Sequence, residues 1–324
     1  MNHSNMLRSL CCVVLLGPMH LHAQSPYPNK PIRLIVGFAP GGGSDILARA
    51  LGQPLAELLG QQIIVDNRPG AGGIIAAEVA MRAAPDGYTL LLGSPGGFSI
   101  RPNLMAKFPY DPVRDFTPIG SFATLFYIVG VHPSMPVRSL RDLIALAKEQ
   151  PGQVTYGSSG QGANIHLAIE QFSMMAGVKM AHVPYKGNAP MLIGLMGGEI
   201  ALVFDPVLTS MPLVKSGRMR ALAVTSRNRF SLLPEIPTVS EAGVKGFEST
   251  NWFAIFAPAK TPAPIVERLN SAINQVMKNQ AVRERFLSQG TEPASGTPEE
   301  LEALVKRELL SFAKVIKTAR IKLE

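Results

Sequence analysis

Three short stretches carry the residues most able to hold a small molecule: APGGGSD (Ala39–Asp45), RPGAGG (Arg68–Gly73) and GSSGQGAN (Gly157–Asn164). Each follows a strand-like apolar run and precedes a helical pattern. Glycine there permits positive φ and close approach of backbone to a ligand. The free amides and positive dipole end of the following helix then attract an anion. On this reading Gly41, Gly42, Gly43 and Ser44 are donors, with Ser44 or Asp45 capping the helix. Ser158, Ser159, Gly160 and Asn164 form the matching set in the third loop. The competing reading is structural, because strand-to-helix turns use glycine and serine without any ligand.

What the loops lack narrows the anion. A phosphate loop ends in Gly-Lys-Ser/Thr, whereas GGGSD has no lysine and puts Asp45 where it would repel phosphate. GSSGQG runs G-x-x-G-x-G, not the dinucleotide order. A carboxylate, smaller and less charged, suits these loops better. Hydrolytic chemistry is also disfavoured: the nucleophile-elbow pattern fails because Gln161 takes the last glycine position. His166 and His182 lack His-x-x-x-His spacing or an acidic cluster that would bind a metal. His166, early in a helical stretch, reads as a polar contact near a cleft or a satisfied half-buried residue. Asp205 ends the apolar run ALVFDP, at the strand edge where open α/β sheets bind ligands. It serves equally as an acceptor for a ligand or as a cap on the next helix. No catalytic residue, metal or cofactor is expected.

The elements that must hold these loops alternate from Lys30 onward. IRLIVGF reads as a strand, followed by a helix over about Ile46 to Leu59 that Pro54 should kink or shorten. QIIVDN, a helix through Ala76 to Ala83, and YTLLLGS complete a βαβαβ order, which implies a parallel sheet with helices on both faces. FYIVGVHP, a helix capped by Ser139 and Asp142, QVTYGSS and the helix after it repeat the theme. KMAHVPYKG, IALVFDP and MRALAVTS are further strands. Three helices close the chain, the last opened by the capping box Thr297 to Glu300. Two doubly wound α/β lobes are therefore expected, with ligands held at a shared crevice. TLFYIVGVHP and ESTNWFAIFAPA are the expected crossings. The boundaries read as 24–125 and 250–324 for one lobe and 126–249 for the other.

At 324 residues, 46% hydrophobic and 17% charged, the chain is globular and large enough for two lobes. Its net charge of +8 is spread without a basic run, so nucleic acid is not an expected partner. Residues 1–23 have a cationic start, the short apolar run LCCVVLL and a small residue at Ala23, which is the order of a cleavable export signal. Cys11 and Cys12 would leave with it, so the mature chain has no thiol chemistry.

The motifs YPNKPIRLIVGFAPGGGSDILARAL, NRPGAGG, AAPDGYTLLLG, PYDPVRDFTPIG, HVPYKG, RALAVTS, PEIPTVSEAG and GTPEE resemble, in order and spacing, the Bug/TctC periplasmic receptors of tripartite tricarboxylate transporters. The resemblance implies a two-lobed periplasmic-binding-protein fold, type II-like, with two interdomain crossovers. It further implies a monomer that closes on a small carboxylate and passes it to a membrane permease of one large and one small subunit. Residue by residue it adds Phe38 to the first loop, aligns His166 beyond the third, and places Tyr185 and Lys186 near the cleft mouth. It also aligns Phe204, Asp205 and Pro206 with the family's Phe-Asp-Asn element. Pro206 departs from that pattern, as does LLGSPGGFSIRPNLM, where Ser94 to Ser99 would read the ligand. Anchoring through amides, hydroxyls and water needs no arginine clamp, and none of the three loops has one at its tip. A sensor subunit presenting the ligand to a signalling partner, or an exported enzyme on the same fold, are the alternatives.

Overall fold

A computed structural model describes residues 27–321, so the expected export signal lies outside the described residues. The first part of the chain forms β1 (Ile32–Val36), α1 (Gly43–Leu59), β2 (Ile63–Asn67), α2 (Ile74–Met81), β3 (Thr89–Gly93) and α3 (Arg101–Leu104). The middle forms β4 (Phe116–Val131), α4 (Leu140–Glu149), β5 (Thr155–Ser158), α5 (Asn164–Ala176), β6 (Ala181–Pro184), α6 (Asn188–Met196), β7 (Leu202–Pro206), α7 (Val207–Lys215) and β8 (Arg220–Val224). The chain ends with β9 (Thr250–Pro258), α8 (Ala263–Lys278), α9 (Gln280–Ser288), β10 (Glu292–Pro293) and α10 (Pro298–Ala319).

The strands join in the order β2-β1-β3-β9-β4-β7-β5-β6. β1 lies parallel to β2 and β3, and β5 lies parallel to β6 and β7. Each parallel triplet is then flanked by one antiparallel strand, β9 beside β3 and β4 beside β7. The same 2-1-3 order therefore occurs twice, which makes the two halves of the sheet two doubly wound lobes. β4 pairs with β9 from Phe116 to Phe126, then with β7 from Tyr127 to Val131. These two strands carry the chain between lobes. The sequence reading began this strand at about Phe126; it starts ten residues earlier, with register shifts at Pro118/Gly120 and Ser121/Ala123 that let a proline-containing stretch remain paired.

Each lobe has its own core. In the first, Leu34, Leu51, Phe122, Ile255, Leu269 and Phe286 pack on one sheet face. Ile35, Leu91, Phe98, Trp252 and Phe256 pack on the other. The second lobe is built around Phe126, Tyr156, Phe172, Phe204 and Phe247. Helix α10 bridges the two: Phe312, Val315 and Ile316 meet Ile100 from one lobe and Leu167 from the other.

Local signals explain most elements. Ser139 and Asp142 form a complete capping box on α4, and Thr297 and Glu300 do so on α10. Pro54 is the exception, because α1 runs unbroken from Gly43 to Leu59 across it. Leu47, Leu51, Leu55 and Leu59 are all buried one turn apart. Burying such side chains contributes roughly 1.5–3 kcal/mol each, enough to offset a proline cost of about 3 kcal/mol.

Candidate functional site

The first loop leaves β1 at Gly37, where a Cβ would fall 2.6 Å from the α-carbon of Gly73. The bare Gly37 lets the first and second loops touch backbone to backbone, and Gly73 is there for its φ of +96°. Helix α1 then begins at Gly43 with Gly42 as N-cap and no side-chain cap. Neither Ser44 nor Asp45 caps it, since helical geometry already begins at Gly43. Asp45 sits inside the first turn, buried, and accepts hydrogen bonds from the Gly41 amide (2.9 Å), Arg49 Nε (3.0 Å) and Asn67 Nδ2 (3.0 Å). The Arg49 guanidinium, ahead of the other contacts, holds its carboxyl down at about 2. The Gly42 amide bonds the Ala39 carbonyl at 3.3 Å. The amides of Gly41 and Gly42 are therefore occupied, and the open donors are those of Gly43, Ser44 and Asp45, ahead of the first intrahelical bond from Ile46 to Gly42.

The second-lobe loop is braced differently. Ser158 is buried at the end of β5, its Oγ 2.6 Å from His182 Nε2 and within 3.2 Å of the Gly160 amide that donates to it. The Gly162 amide donates to His166 Nδ1 at 3.0 Å. The His166 and His182 rings stack with centroids 3.8 Å apart, and Tyr156 stacks on His182 at 5.0 Å. Burial, reinforced by His182, lowers His166 to about 4, and burial lowers His182 too. Both rings are neutral at pH 7 and hold the loop from behind. Helix α5 starts at Asn164 after an N-cap, Ala163, with no capping side chain. The amides of Asn164, Ile165 and His166 thus form a second open set, ahead of the bond from Leu167 to Ala163.

Both helix starts border one cavity of about 400 Å³ between the lobes. Phe38, Ser44, Gly72, Ser94 and Arg101 line it from the first lobe, and Ser159, Gly162, Asn164, Asn188 and Pro206 from the second. Tyr127 and Asn251, on the crossing strands, form its floor with Leu125 and Phe253. Asn164 Nδ2 donates to Asn251 Oδ1 at 2.9 Å, tying the second-lobe loop to β9. No carboxylate side chain is among the described residues on the wall. Nor do the described residues contain a cluster of three potential metal ligands, or a helix long and apolar enough to cross a membrane.

Of the residues expected at the site, Phe38, Ser44, Ser94, Ser159 and Asn164 line the cavity. Gly41, Gly42, Gly43, Asp45, Ser158, Gly160, His166, Tyr185 and Asp205 contribute no wall surface. Tyr185 packs over Gly194 and donates its hydroxyl to Glu199 at 3.2 Å. Asp205 is buried behind Pro206 and accepts from Thr209 (2.6 Å), Ser210 (2.8 Å) and Asn188 (3.3 Å). Burial, opposed by those hydrogen bonds, raises its carboxyl to about 6. Its contacts are those of a brace at the start of α7, and through Asn188 it fixes a cavity residue. Sequence reasoning missed Arg101, Tyr127, Asn188 and Asn251. None of the three loops has an arginine at its tip, but the turn after β3 brings Arg101 to the wall. The only available signal was the departure of its segment from the family pattern.

A family model described as tripartite tricarboxylate transporter family receptor matches residues 47–321. Protein BugT of Bordetella pertussis is 35% identical over 299 residues, covering 92% of this chain and 92% of its own. A protein of R. palustris solved with adipate is 38% identical, with a TM-score of 0.74, over 91% of this chain and 99% of that one. A TctC solute-binding protein from Polaromonas superposes with a TM-score of 0.82 at 28% identity, over 90% and 99% of the two chains. Extent, identity and fold agree, and the chain belongs to the tripartite tricarboxylate transporter receptor (TctC) family of solute-binding proteins.

Proposed function

We propose that this receptor captures a small carboxylate between its lobes and delivers it to the permease of a tripartite tricarboxylate transporter. One observation carries the reading: two uncapped helix starts from opposite lobes, reaching the wall at Ser44 and at Asn164 and Ile165, border a cavity whose wall has no carboxylate. An anion there meets the positive ends of two dipoles and no carboxylate on the wall, the charge of nearby Asp45 being paired with Arg49. Hydroxyls of Ser44, Ser94 and Ser159 and bridging water extend the contact without fixing one substrate. The adipate held by the R. palustris relative has the same chemistry. The described residues of 24–125 and 250–324 form one jaw and those of 126–249 the other, closing by rotation about β4 and β9. The chain acts as a periplasmic monomer, exported by a signal cleaved near Ala23, and makes or breaks no bond in its ligand.

Thermal unfolding of the mature protein with mono-, di- and tricarboxylates, amino acids and neutral sugars tests this. A bound acid at about 100 times its Kd adds about 2.7 kcal/mol and raises Tm. Stabilisation by neutral or cationic compounds alone would sink the carboxylate reading.

A further inference from the structure

Arg101 carries the only fixed charge on the described cavity wall. Its guanidinium makes no ion pair and no side-chain hydrogen bond among the described residues. The carboxylate of Glu78, which acts on the Tyr110 hydroxyl in the direction opposite to Arg101, is paired with Arg82 at 2.9 Å. The guanidinium instead lies against Gly72, where a Cβ would fall 2.1 Å from Arg101 Cζ. Gly72 has a φ of +64°, so the absence of a side chain suits the backbone and opens the space the guanidinium fills.

The segment beneath Arg101 is firmly held. Phe98 stacks on Phe256 with centroids 4.0 Å apart and also packs against Phe116 and Trp252. The Tyr110 hydroxyl donates to the Gly97 carbonyl at 2.9 Å. Asn103 Nδ2 donates to the carbonyls of Ser99 and Leu309, both at 2.9 Å, pinning the turn to α10. A cation on so rigid a base, half-buried and unpaired, is placed for an anionic partner that arrives from solution. Guanidinium is the group best shaped to grip a carboxylate by two parallel hydrogen bonds. Phe38, Ile100, Leu125 and Phe253 supply apolar surface on the same wall, suited to the methylenes of an acid with two ends.

We propose that Arg101 pairs with the second acid group of a dianionic ligand whose first carboxylate rests on the open amides. The receptor then selects diacids over monoacids of the same length. This rests on the carboxylate reading above and adds to it the residue that meets the ligand's second acid group.

Calorimetric titration with succinate, glutarate and adipate, each beside its monomethyl ester, separates the two ideas. Wild type should bind its best diacid about 10- to 100-fold more tightly than the half-ester, as befits a charge-assisted contact. Arg101→Gln should weaken the diacid by that factor, leave the half-ester within about twofold, and keep the wild-type Tm. Arg101→Lys should retain part of the preference, since the charge stays while the fork is lost. Equal binding of diacid and half-ester by wild type, or equal weakening of both by Arg101→Gln, overturns the role of Arg101 alone. Failure of every acid to bind wild type overturns the carboxylate reading and this inference with it.

Discussion

The two loops that border the cavity have the same outline and opposite wiring. Around α1 the scaffold is ionic: Asp45 is ionised, gripped by exposed Arg49 and by Asn67, and closes the turn on the Gly41 amide. Around α5 it is neutral: Ser158, His182 and His166 are stacked and hydrogen-bonded behind the loop with no charge among them. Both arrangements leave the first three helix amides open. A loop can thus be held by charge or by buried neutral rings, provided the brace uses other donors than those the ligand needs.

The largest effect should come from breaking the ionic brace. Asp45→Ala strands the Gly41 amide and the Arg49 and Asn67 side chains, and removes hydrogen bonds to a charged group, each worth roughly 1.5–3 kcal/mol. Partial exposure of Arg49 reduces the sum. Urea unfolding should show a loss of about 2 kcal/mol, with Asp45→Asn losing less because its carbonyl still accepts from Gly41. A loss under about 0.5 kcal/mol would show that the ionic brace is ornamental.

A smaller effect, local to one loop, should appear with pH. His166 binds its proton less well folded than unfolded, so its neutral ring adds stability above the ordinary value of 6.5. That contribution drains as pH falls toward about 4, when a proton on Nδ1 displaces the Gly162 hydrogen bond. Asp45 has the contrasting window: its contribution persists above 3.8 and is lost as pH falls toward about 2. Buried Asp205 and Glu308 oppose the histidines, because burial raises their carboxyls to about 6 and about 7 and protonation favours the fold. Global stability therefore mixes signs, and a local probe is needed. The Gly162 amide resonance should move as pH falls through about 4, where folded His166 takes up its proton, while that of Gly41 stays still until pH nears about 2. Joint movement of both would erase the distinction between the loops.

The sequence carried the architecture because its signals are local. Two capping boxes, the strand-glycine-helix alternation and the β-branched runs each act within a few residues, and all reappear in the structure. The site was less legible because its wiring is long-range. Asn164 meets Asn251 across 87 positions, and Ser158 meets His182 across 24. Asp205, conspicuous at a strand end, spends its oxygens on Thr209, Ser210 and Asn188. Arg101 was inconspicuous in sequence, because only the turn after β3 and the bare Gly72 bring it to the wall. Pro54 was over-read for a related reason: its cost is local, while the burial that offsets it is tertiary.

Nuclear magnetic resonance on isotope-labelled mature protein, titrated with the acid that most raises Tm, tests the central claim most directly. The account predicts that the amide resonances of Gly43, Ser44, Asp45, Asn164, Ile165 and His166 shift together and saturate at one ligand per chain. Saturation that leaves these six unmoved, with shifts instead around the separate cavity bordered by Gln171, Thr250 and Arg307, would contradict it.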